Sequence, residues 1–406
     1  MSFLTSLVLV LGGSLPAQVK VGADLLLSRD FYLIEGKRIG LVTNHSALLS
    51  DGRHLADALS QNSRTRLVVL FGPEHGIRGD APDGHIVQHG RDSSTGLPVY
   101  SLYGKINKPT DEMLKDVDIL IFDIQDVGAR FYTFESTMML AMEAAAEHKI
   151  PYLVLDRPNP IRGVQAEGPI RADSLKSFVG WVPIPITHGM TIGELATMVN
   201  GEGWLAGGVK ADLHVVRMQG WNRTMWYDET GLRWIKPSPN MATLRTATVY
   251  PGTCLLEGTN VAEGRGTERP FEWIGAPFID GVRWAESLNR MNLPGVRFEP
   301  VSFTPHEIPN VAFNPKYKER PCGGVFVNVT ERNRFEPVRT GIAILSTMKL
   351  LYPDSVKWRQ ASIDRLAGTP VIRQAVDRRT NPDSLRASWE NNLRAFLSVR
   401  AKYLLY

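Results

Sequence analysis

Four short runs of apolar, β-branched residues occur in the first half of the chain, and each run is continuous rather than alternating. They read RIGLVT (Arg38–Thr43), LVVLF (67–71), DILIF (118–122) and YLVL (Tyr152–Leu155). Continuous apolar runs of this length are typical of strands that are buried on both faces of a sheet. LHVVRM, over residues 213–218, is a further strand candidate.

Helical patterns lie between these strands. Residues 51–61 have apolar positions at helical spacing, residues 133–148 are rich in good helix formers with Thr133 as the expected N-cap, and residues 191–200 open with a capping-box pattern. Alternation of strands and helices predicts a parallel sheet with right-handed crossovers. We therefore predict a doubly wound α/β domain over residues 21–235.

The pattern changes after residues 236–240 (KPSPN), where two prolines in five residues predict a linker. Glycine, proline and aromatic residues dominate residues 250–325, where few clean helices are expected, whereas residues 340–351 and 382–399 read as helical. These features predict a second, smaller α+β domain over residues 236–406.

Composition and charge exclude several classes of protein. The 406 residues are 43% apolar and 22% charged, as in an ordinary globular protein, and 46 basic against 42 acidic residues give a net charge of +4. Because no basic run of five residues occurs, we expect no nucleic-acid partner. The two cysteines, Cys254 and Cys322, lack a C-x-x-C partner, which excludes a zinc site built on thiolates and leaves their pairing open.

The N-terminus resembles an export signal. Residues 3–11 (FLTSLVLVL) are too few to span a bilayer but match the apolar core of a signal peptide over residues 1–17, with Ala17 before the cleavage point. The usual positive residue before the core is missing. We therefore expect a secreted or periplasmic protein. We also expect no transmembrane segment, because no later stretch reaches eighteen uncharged apolar residues.

Polar and ionisable side chains follow each of the four predicted strands. In open α/β sheets, ligands bind beyond the carboxyl ends of the strands. The density of these groups predicts a functional site at this edge, with the candidate residues Asn44, Glu74, His75, Asp123, Gln125, Asp126, Arg130 and Tyr132.

Three common site motifs are missing from the chain. The first strand is not followed by G-x-G-x-x-G, and neither the phosphate-binding loop nor the G-x-S-x-G elbow occurs. We therefore expect no nicotinamide or other cofactor. His75, Asp80, Asp83, His85 and His89 lie close together in sequence, but the segment is too rich in glycine to form the helix on which an H-x-x-x-H metal pair is expected. A metal-dependent hydrolase that uses His75, His85 and Asp123 remains an alternative, although we expect no metal.

Glu74 is the strongest catalytic candidate. It leaves a buried strand between Pro73 and His75, with Gly72 and Gly76 allowing tight turns. Partial burial beside apolar side chains favours the neutral form of a carboxyl, which can donate its proton to a leaving oxygen.

The second half contains one segment that is dense in polar groups, YPGTCLLEGTNVAEGRGTERPF (250–271). Hydrogen-bonding groups with aromatic rings nearby suit a sugar site, whereas the plain alternative is a glycine-rich surface loop.

This segment and four others, GPEHGIRG (72–79), FDIQDVGARFYTF (122–134), DRPNPIRG (156–163) and THGMTIGELA (187–196), together resemble the exo-β-N-acetylmuramidase family. The resemblance runs from about residue 21 to the C-terminus. It implies a Rossmann-like domain joined to a smaller domain, with the active site in the cleft between them. It also implies an exo-acting glycoside hydrolase that releases N-acetylmuramic acid from the non-reducing end of peptidoglycan fragments.

The resemblance places the family's proposed catalytic glutamate at Glu74. It also implies sugar contacts from His188 in the THGMT motif and from Glu257, Asn260, Glu263 and Arg265 in the glycine-rich one. Arg130 or Arg265 would pair with the lactyl carboxylate of muramic acid. The second catalytic participant is left open between Asp126, Glu263 and the substrate's own N-acetyl group. A non-catalytic binder of cell-wall glycans is the alternative from another class.

Overall fold

The computed structural model describes residues 18–79 and 90–406. The signal peptide predicted over residues 1–17 and the candidate ligands Asp80, Asp83, His85 and His89 lie outside the described residues. The first half contains, in chain order, α1 (Gly22–Ser28), β1 (Arg38–Thr43), α2 (Leu55–Ser60), β2 (Arg66–Gly72), β3 (Gly90–Arg91), β4 (Pro98–Ser101), α3 (Asp111–Leu114), β5 (Ile119–Asp123), α4 (Phe134–Glu147), β6 (Tyr152–Leu155), α5 (Ile192–Glu202) and β7 (Leu213–Val216).

These strands form one seven-stranded sheet in the order β3-β4-β2-β1-β5-β6-β7. All neighbours pair in parallel except β3 and β4, which are antiparallel. Helices cover both faces, because α1 and α2 pack with Leu41 and Ile121, whereas α3, α4 and α5 pack with Val42 and Phe122. The continuous apolar runs are thus strands buried on both faces, and the predicted α/β fold with a mostly parallel sheet is confirmed.

The second half contains α6 (Leu244–Thr253), β8 (Trp273–Ala276), α7 (Gly281–Asn289), β9 (Val296–Phe303), β10 (Cys322–Val329), α8 (Pro337–Leu351), α9 (Gln360–Ala367), α10 (Val371–Asp377), α11 (Pro382–Ala387) and α12 (Glu390–Arg400). Its three strands form an antiparallel sheet in the order β8-β10-β9. This is the smaller α+β unit that the sequence predicts.

Several element boundaries differ from the prediction. The helix expected over 51–61 begins only at Leu55, because Leu48 bridges His54 across a tight turn and the His54 ring caps the helix. The helix expected over 382–399 is two helices, α11 and α12. Two helices, α6 at the start of the glycine-rich stretch and α7 within it, are not predicted from the sequence. Asp280, which accepts a hydrogen bond from the Arg283 amide, is the N-cap that could have identified α7.

The two halves share one hydrophobic core. Buried side chains from α4 and α5 belong to the same cluster as those from α6, α8 and β10. The proposed linker is also packed, since Ser238, Asn240 and the following Met241 are buried and the Asn240 amide donates to the Val311 carbonyl. The core shows no gap between residues 21–235 and 236–406. The division of the chain into two domains at this point therefore stays a prediction.

Both cysteines are buried free thiols. Within the part of the chain that the structure describes, no helix has the length and apolar character needed to cross a membrane.

Candidate active site

A cavity of about 330 Å³, here called the inner cavity, lies beyond the carboxyl end of β2. Side chains from both halves of the chain line it, among them Glu74, His75, Tyr132, Thr133, Ser238, Tyr250, Glu257, Arg265 and Phe271. The fold thus brings five of the predicted site residues to one cavity, namely Glu74, His75, Tyr132, Glu257 and Arg265.

Glu74 directly follows β2 and Pro73 and is half-buried. The next residue, His75, has a left-handed backbone (φ 72°), as does Gly76 (φ 73°). A left-handed non-glycine residue costs on the order of 1 kcal/mol, and such strain persists where the surrounding structure enforces it, often at functional sites. The sharp turn brings the Glu74 carboxyl to the cavity wall at the strand end.

The Thr133 hydroxyl donates a hydrogen bond of 2.9 Å to Glu74 Oε2. Thr133 stands at the N-cap position of α4, but its side chain makes no capping hydrogen bond there. The predicted N-cap position is therefore confirmed, but the hydroxyl holds the Glu74 carboxyl instead of capping the helix. Thr133 was missed as a site residue although it lies in the FDIQDVGARFYTF motif.

A set of interlocked aromatic rings forms another wall of the inner cavity. Tyr250 packs edge-on against Phe131 and Phe271, with ring centroids 5.3 and 4.8 Å apart, and against Tyr132 at 5.9 Å. Such rings present a rigid apolar surface with hydroxyl groups at its edge, which suits the faces of a sugar. Tyr250 and Phe271 were not predicted individually, although they stand near the two ends of the glycine-rich motif.

Arg265 is placed between this aromatic wall and two carboxylates. Its guanidinium lies 4.7 Å from the centre of the Phe271 ring and bonds Glu257 at 2.6 Å and Glu263 at 3.4 Å. Burial disfavours the charged form of Glu263, but Lys316, 2.9 Å away, and Arg265 hold the pKa of that carboxyl below its usual value. Glu263 is therefore kept ionised, which is unsuited to a proton donor.

A larger cavity of about 920 Å³, here called the outer cavity, adjoins the inner one. The two cavities share Val179, Glu257, Arg265 and Leu366 in their walls. Glu263 lines the outer cavity only. The two cavities thus form one continuous space. The inner cavity, which contains Glu74, is its narrow end, and the outer cavity is its wider end.

Asp126 and His188 lie together with Glu135 in a buried cluster. His188 Nε2 is 2.8 Å from Glu135 Oε1, and all three residues bring one ligand-type atom within 4.8 Å of one another. Burial and the charge of Glu135 raise the pKa of Asp126 to about 7. Although burial opposes it, the charge and hydrogen bond of Glu135 raise the pKa of His188.

This cluster has the composition of a cation site, since carboxylate and imidazole ligands suit zinc or another divalent metal. Neither cavity is lined by any of its three members. It also differs from the metal alternative read from the sequence, because Asp123 is bound instead to Arg157 at 2.5 Å. In the structure the three groups are arranged as a His188–Glu135 hydrogen-bonded pair beside Asp126, whose pKa is raised.

The sheet edge binds several predicted residues into its own structure. The Ser46 amide donates to Asn44 Oδ1 at 3.0 Å, and the Ser46 hydroxyl accepts from the Gln125 amide at 3.0 Å. The Gln125 side chain donates to the carbonyls of Asp126 and Pro158. Asn44, Asp123 and Gln125 are buried outside both cavity linings and shape the strand ends from behind.

Arg130 and Asn260 also bond to protein backbone rather than face a cavity. The Arg130 guanidinium donates to the carbonyls of Pro169, Ile184 and Leu366. The Asn260 side chain donates to the Ser355 carbonyl and accepts from the Lys357 amide. In this arrangement both side chains join separate segments, and their predicted contacts with substrate remain untested.

A half-buried carboxyl that is held by a hydroxyl, opposite aromatic rings and an arginine, at the strand ends of an α/β sheet, defines a glycosidase-type site. Comparison with known proteins specifies the family. Residues 39–245 match the model for the N-terminal part of the exo-β-N-acetylmuramidase NamZ, and residues 248–406 match the model for its C-terminal part.

Individual relatives agree with this match. The peptidoglycan β-N-acetylmuramidase NamZ of Bacillus subtilis (strain 168) is 49% identical over 390 residues, which cover 96% of this chain and 92% of that protein. Two crystal structures of DUF1343 family proteins from Bacteroides fragilis superpose with TM-scores of 0.88 and 0.77 at 39% and 34% identity, and each match covers 96% of this chain and 99% of the other. The chain belongs to the NamZ exo-β-N-acetylmuramidase family and is a glycosidase.

Proposed function

We propose that this protein hydrolyses the β-1,4 bond that joins a terminal N-acetylmuramic acid to the N-acetylglucosamine after it, at the non-reducing end of peptidoglycan fragments. The observation that carries the proposal is the position of Glu74, half-buried in the inner cavity and bonded to Thr133. The peptidoglycan activity in the name of the Bacillus subtilis relative supports the same substrate.

In this mechanism Glu74 protonates the oxygen of the leaving sugar while the bond to the muramic acid breaks through an oxocarbenium-like transition state. Glu74 is half-buried in a cavity that Tyr132 and Phe134 also line, which limits the access of bulk water to that proton. The Thr133 hydroxyl fixes the rotamer of Glu74, so that little reorganisation is needed at the moment of transfer.

The carboxyl groups that line the inner cavity bear on the choice of the second participant. Neither Asp126 nor Glu263 lines it, and Glu257, which does, is bound to Arg265. Among the described residues this favours the third option, in which the substrate's own N-acetyl oxygen attacks the anomeric carbon. The edge-on aromatic wall would hold the acetamido group in place.

Arg265 is the residue best placed for the lactyl carboxylate. Among the described lining residues it is the one arginine or lysine of the inner cavity, and Arg130 is committed to three backbone carbonyls. A guanidinium that already donates to carboxylates can also donate to the lactyl carboxylate through its planar set of N–H groups.

The test is incubation of residues 18–406 with the disaccharide N-acetylmuramyl-β-1,4-N-acetylglucosamine and with its reversed isomer, followed by mass spectrometry. We expect free N-acetylmuramic acid from the first disaccharide only. Glu74→Gln keeps the size and hydrogen bond of the side chain but removes the acid, and it should lower the rate by about 10²-fold or more.

Glu286→Gln, an exposed position on α7, is the matched control and should retain wild-type activity. Cleavage of neither disaccharide, with binding still detected, would contradict the proposal and favour a glycan-binding protein. An unchanged rate in Glu74→Gln would remove this residue from the chemistry.

We also propose that the protein acts outside the cytoplasm, as the apolar segment at residues 3–11 and the extracytoplasmic location of peptidoglycan both support. Fractionation of cells that express the full chain should show the mature protein outside the cytoplasm. Deletion of residues 2–17 should retain it inside, and equal distribution of both forms would contradict export.

A further inference from the structure

The wall of the outer cavity carries a marked excess of positive charge. Six lysine or arginine side chains line it, against two glutamates. Arg265, Lys316 and Lys318 form ion pairs with glutamates. The other three cations are Arg320, Arg359 and Arg365.

These three arginines are exposed and form no ion pair with any carboxylate of residues 18–79 and 90–406. The Arg365 Nε donates to the Ala361 carbonyl of its own helix, and the Arg320 guanidinium lies 5.5 Å from the centre of the Tyr317 ring. Uncompensated charges around one concave surface create a local field that attracts an anion. The outer cavity is thus suited to a negatively charged part of a ligand.

The segment that carries Arg320 has two more features of a binding surface. Phe313 has 65% of its surface exposed and lies on the cavity wall. Asn314, Tyr317 and Glu319 have left-handed backbones, with φ between 46° and 58°. An aromatic residue in this conformation is a true outlier, and such strain clusters at ligand-binding segments.

The position of the outer cavity relative to Glu74 indicates which part of a glycan would occupy it. An exo-acting enzyme holds the terminal sugar in the inner cavity, and the leaving fragment must extend through the shared wall at Arg265 and Glu257. Along peptidoglycan, the first leaving sugar is the neutral N-acetylglucosamine, and the next is again a muramic acid with a carboxylate.

We infer, on the basis of the function proposed above, that the outer cavity binds the leaving glycan beyond the first N-acetylglucosamine. Arg320, Arg359 and Arg365 recognise the carboxylate of the second muramic acid, and Phe313 provides a face for a sugar ring. The enzyme therefore prefers glycans of three or more sugars over the disaccharide.

The experiment compares kcat/KM for release of the terminal muramic acid from the peptide-free disaccharide and from the corresponding tetrasaccharide. Wild type should favour the tetrasaccharide by about tenfold, because each exposed ion pair contributes up to roughly a factor of five. The triple variant Arg320→Gln, Arg359→Gln, Arg365→Gln should bring this ratio close to one. Raising the salt concentration should lower the ratio in wild type.

Arg66→Gln is the matched control, since Arg66 is an exposed arginine at the opposite end of β2 from Glu74, and it should keep the wild-type ratio. A third substrate, the tetrasaccharide with its second lactyl carboxyl converted to a neutral amide, should also lose the preference. The last substrate is a tetrasaccharide that bears a short peptide on that lactyl group. If it is cleaved faster than the free-acid form, the recognised anion is a peptide carboxylate, and the assignment to the lactyl carboxylate is overturned.

A ratio near one in wild type, or an unchanged ratio in the triple variant, would overturn the inference while leaving the proposed function intact. Failure of wild type to cleave the disaccharide and the tetrasaccharide alike would instead count against the proposed function.

Discussion

Arg130 is a buried cation that is satisfied without a carboxylate. It is 1% exposed, and burial lowers the pKa of its guanidinium to about 9 despite the opposing charge of Glu135. Its donors reach backbone carbonyls of Pro169 and Ile184 in the first half and Leu366 in the second. Loss of this side chain removes three hydrogen bonds that a charged group donates to carbonyls, so its first effect is on folding rather than on substrate binding.

Asp126 gives a prediction about pH and stability. Its pKa in the folded protein is about 7, against an ordinary value of 3.8, because burial and the charge of Glu135 disfavour its ionised form. The folded state therefore binds more protons than the unfolded state between about pH 4 and pH 7. Stability should fall as the pH rises through this window, because the ionised form of this group is disfavoured in the folded state.

Asp126→Asn removes the titrating group, and its free energy of unfolding should fall less between pH 5 and pH 8 than that of wild type. Urea unfolding at the two pH values measures the difference. Asp354→Asn, at an exposed position, should behave as wild type. Parallel pH profiles for wild type and Asp126→Asn would show that Asp126 is ionised throughout.

At the scale of elements, α6 and α8 pack at a distance that only glycine permits. A Cβ added to Gly252 would lie 1.9 Å from the Pro337 carbonyl oxygen, and one added to Gly341 would lie 2.3 Å from the Gly252 oxygen. Both obstacles are backbone atoms, which cannot rotate away. Because Tyr250 lies on α6, the same contact positions the aromatic wall of the inner cavity.

Gly252→Ala should therefore destabilise the protein by about 2–3 kcal/mol, as overpacking of a close contact does. Thermal unfolding would show a Tm several degrees below that of wild type. Gly90→Ala is the control, because no heavy atom of residues 18–79 or 92–406 lies within 4 Å of its added Cβ and its backbone is extended. Equal stability of the two variants would mean that the helices separate at little cost.

At the scale of the whole molecule, the C-terminal end returns to the sheet of the first half. The Tyr406 hydroxyl donates to Asp156 Oδ2 at 2.8 Å, and the Arg400 guanidinium donates to the Gly163 carbonyl. Together with the core that both halves share, these contacts link residues far apart in sequence. The two units are thus mutually dependent for burial of their apolar faces.

We predict that thermal unfolding is a single cooperative transition with equal calorimetric and van't Hoff enthalpies. A fragment of residues 18–235 should lack a cooperative transition, because it exposes apolar surface that the second half covers. Two separate transitions, or a fragment that unfolds cooperatively, would instead establish independent domains.

The sequence by itself determined the parallel sheet and its edge. Apolar runs such as Arg38–Thr43 and Tyr152–Leu155 have the same bounds in the structure, because burial on both faces leaves a continuous apolar signal. Glu74 could be singled out because it directly follows one of these strands. The carboxyl ends of neighbouring parallel strands meet at one edge of the sheet, which is where ligands bind.

Only the tertiary structure decided which of the polar groups at that edge face a cavity. Thr133 and Arg130 lie in the same motif, yet the Thr133 hydroxyl donates to Glu74 whereas the Arg130 guanidinium donates to backbone carbonyls. The outer cavity likewise gathers Arg320, Arg359 and Arg365 from separate segments. Local pattern reports how a residue is buried, but its partners are set by long-range packing, which no short stretch of sequence encodes.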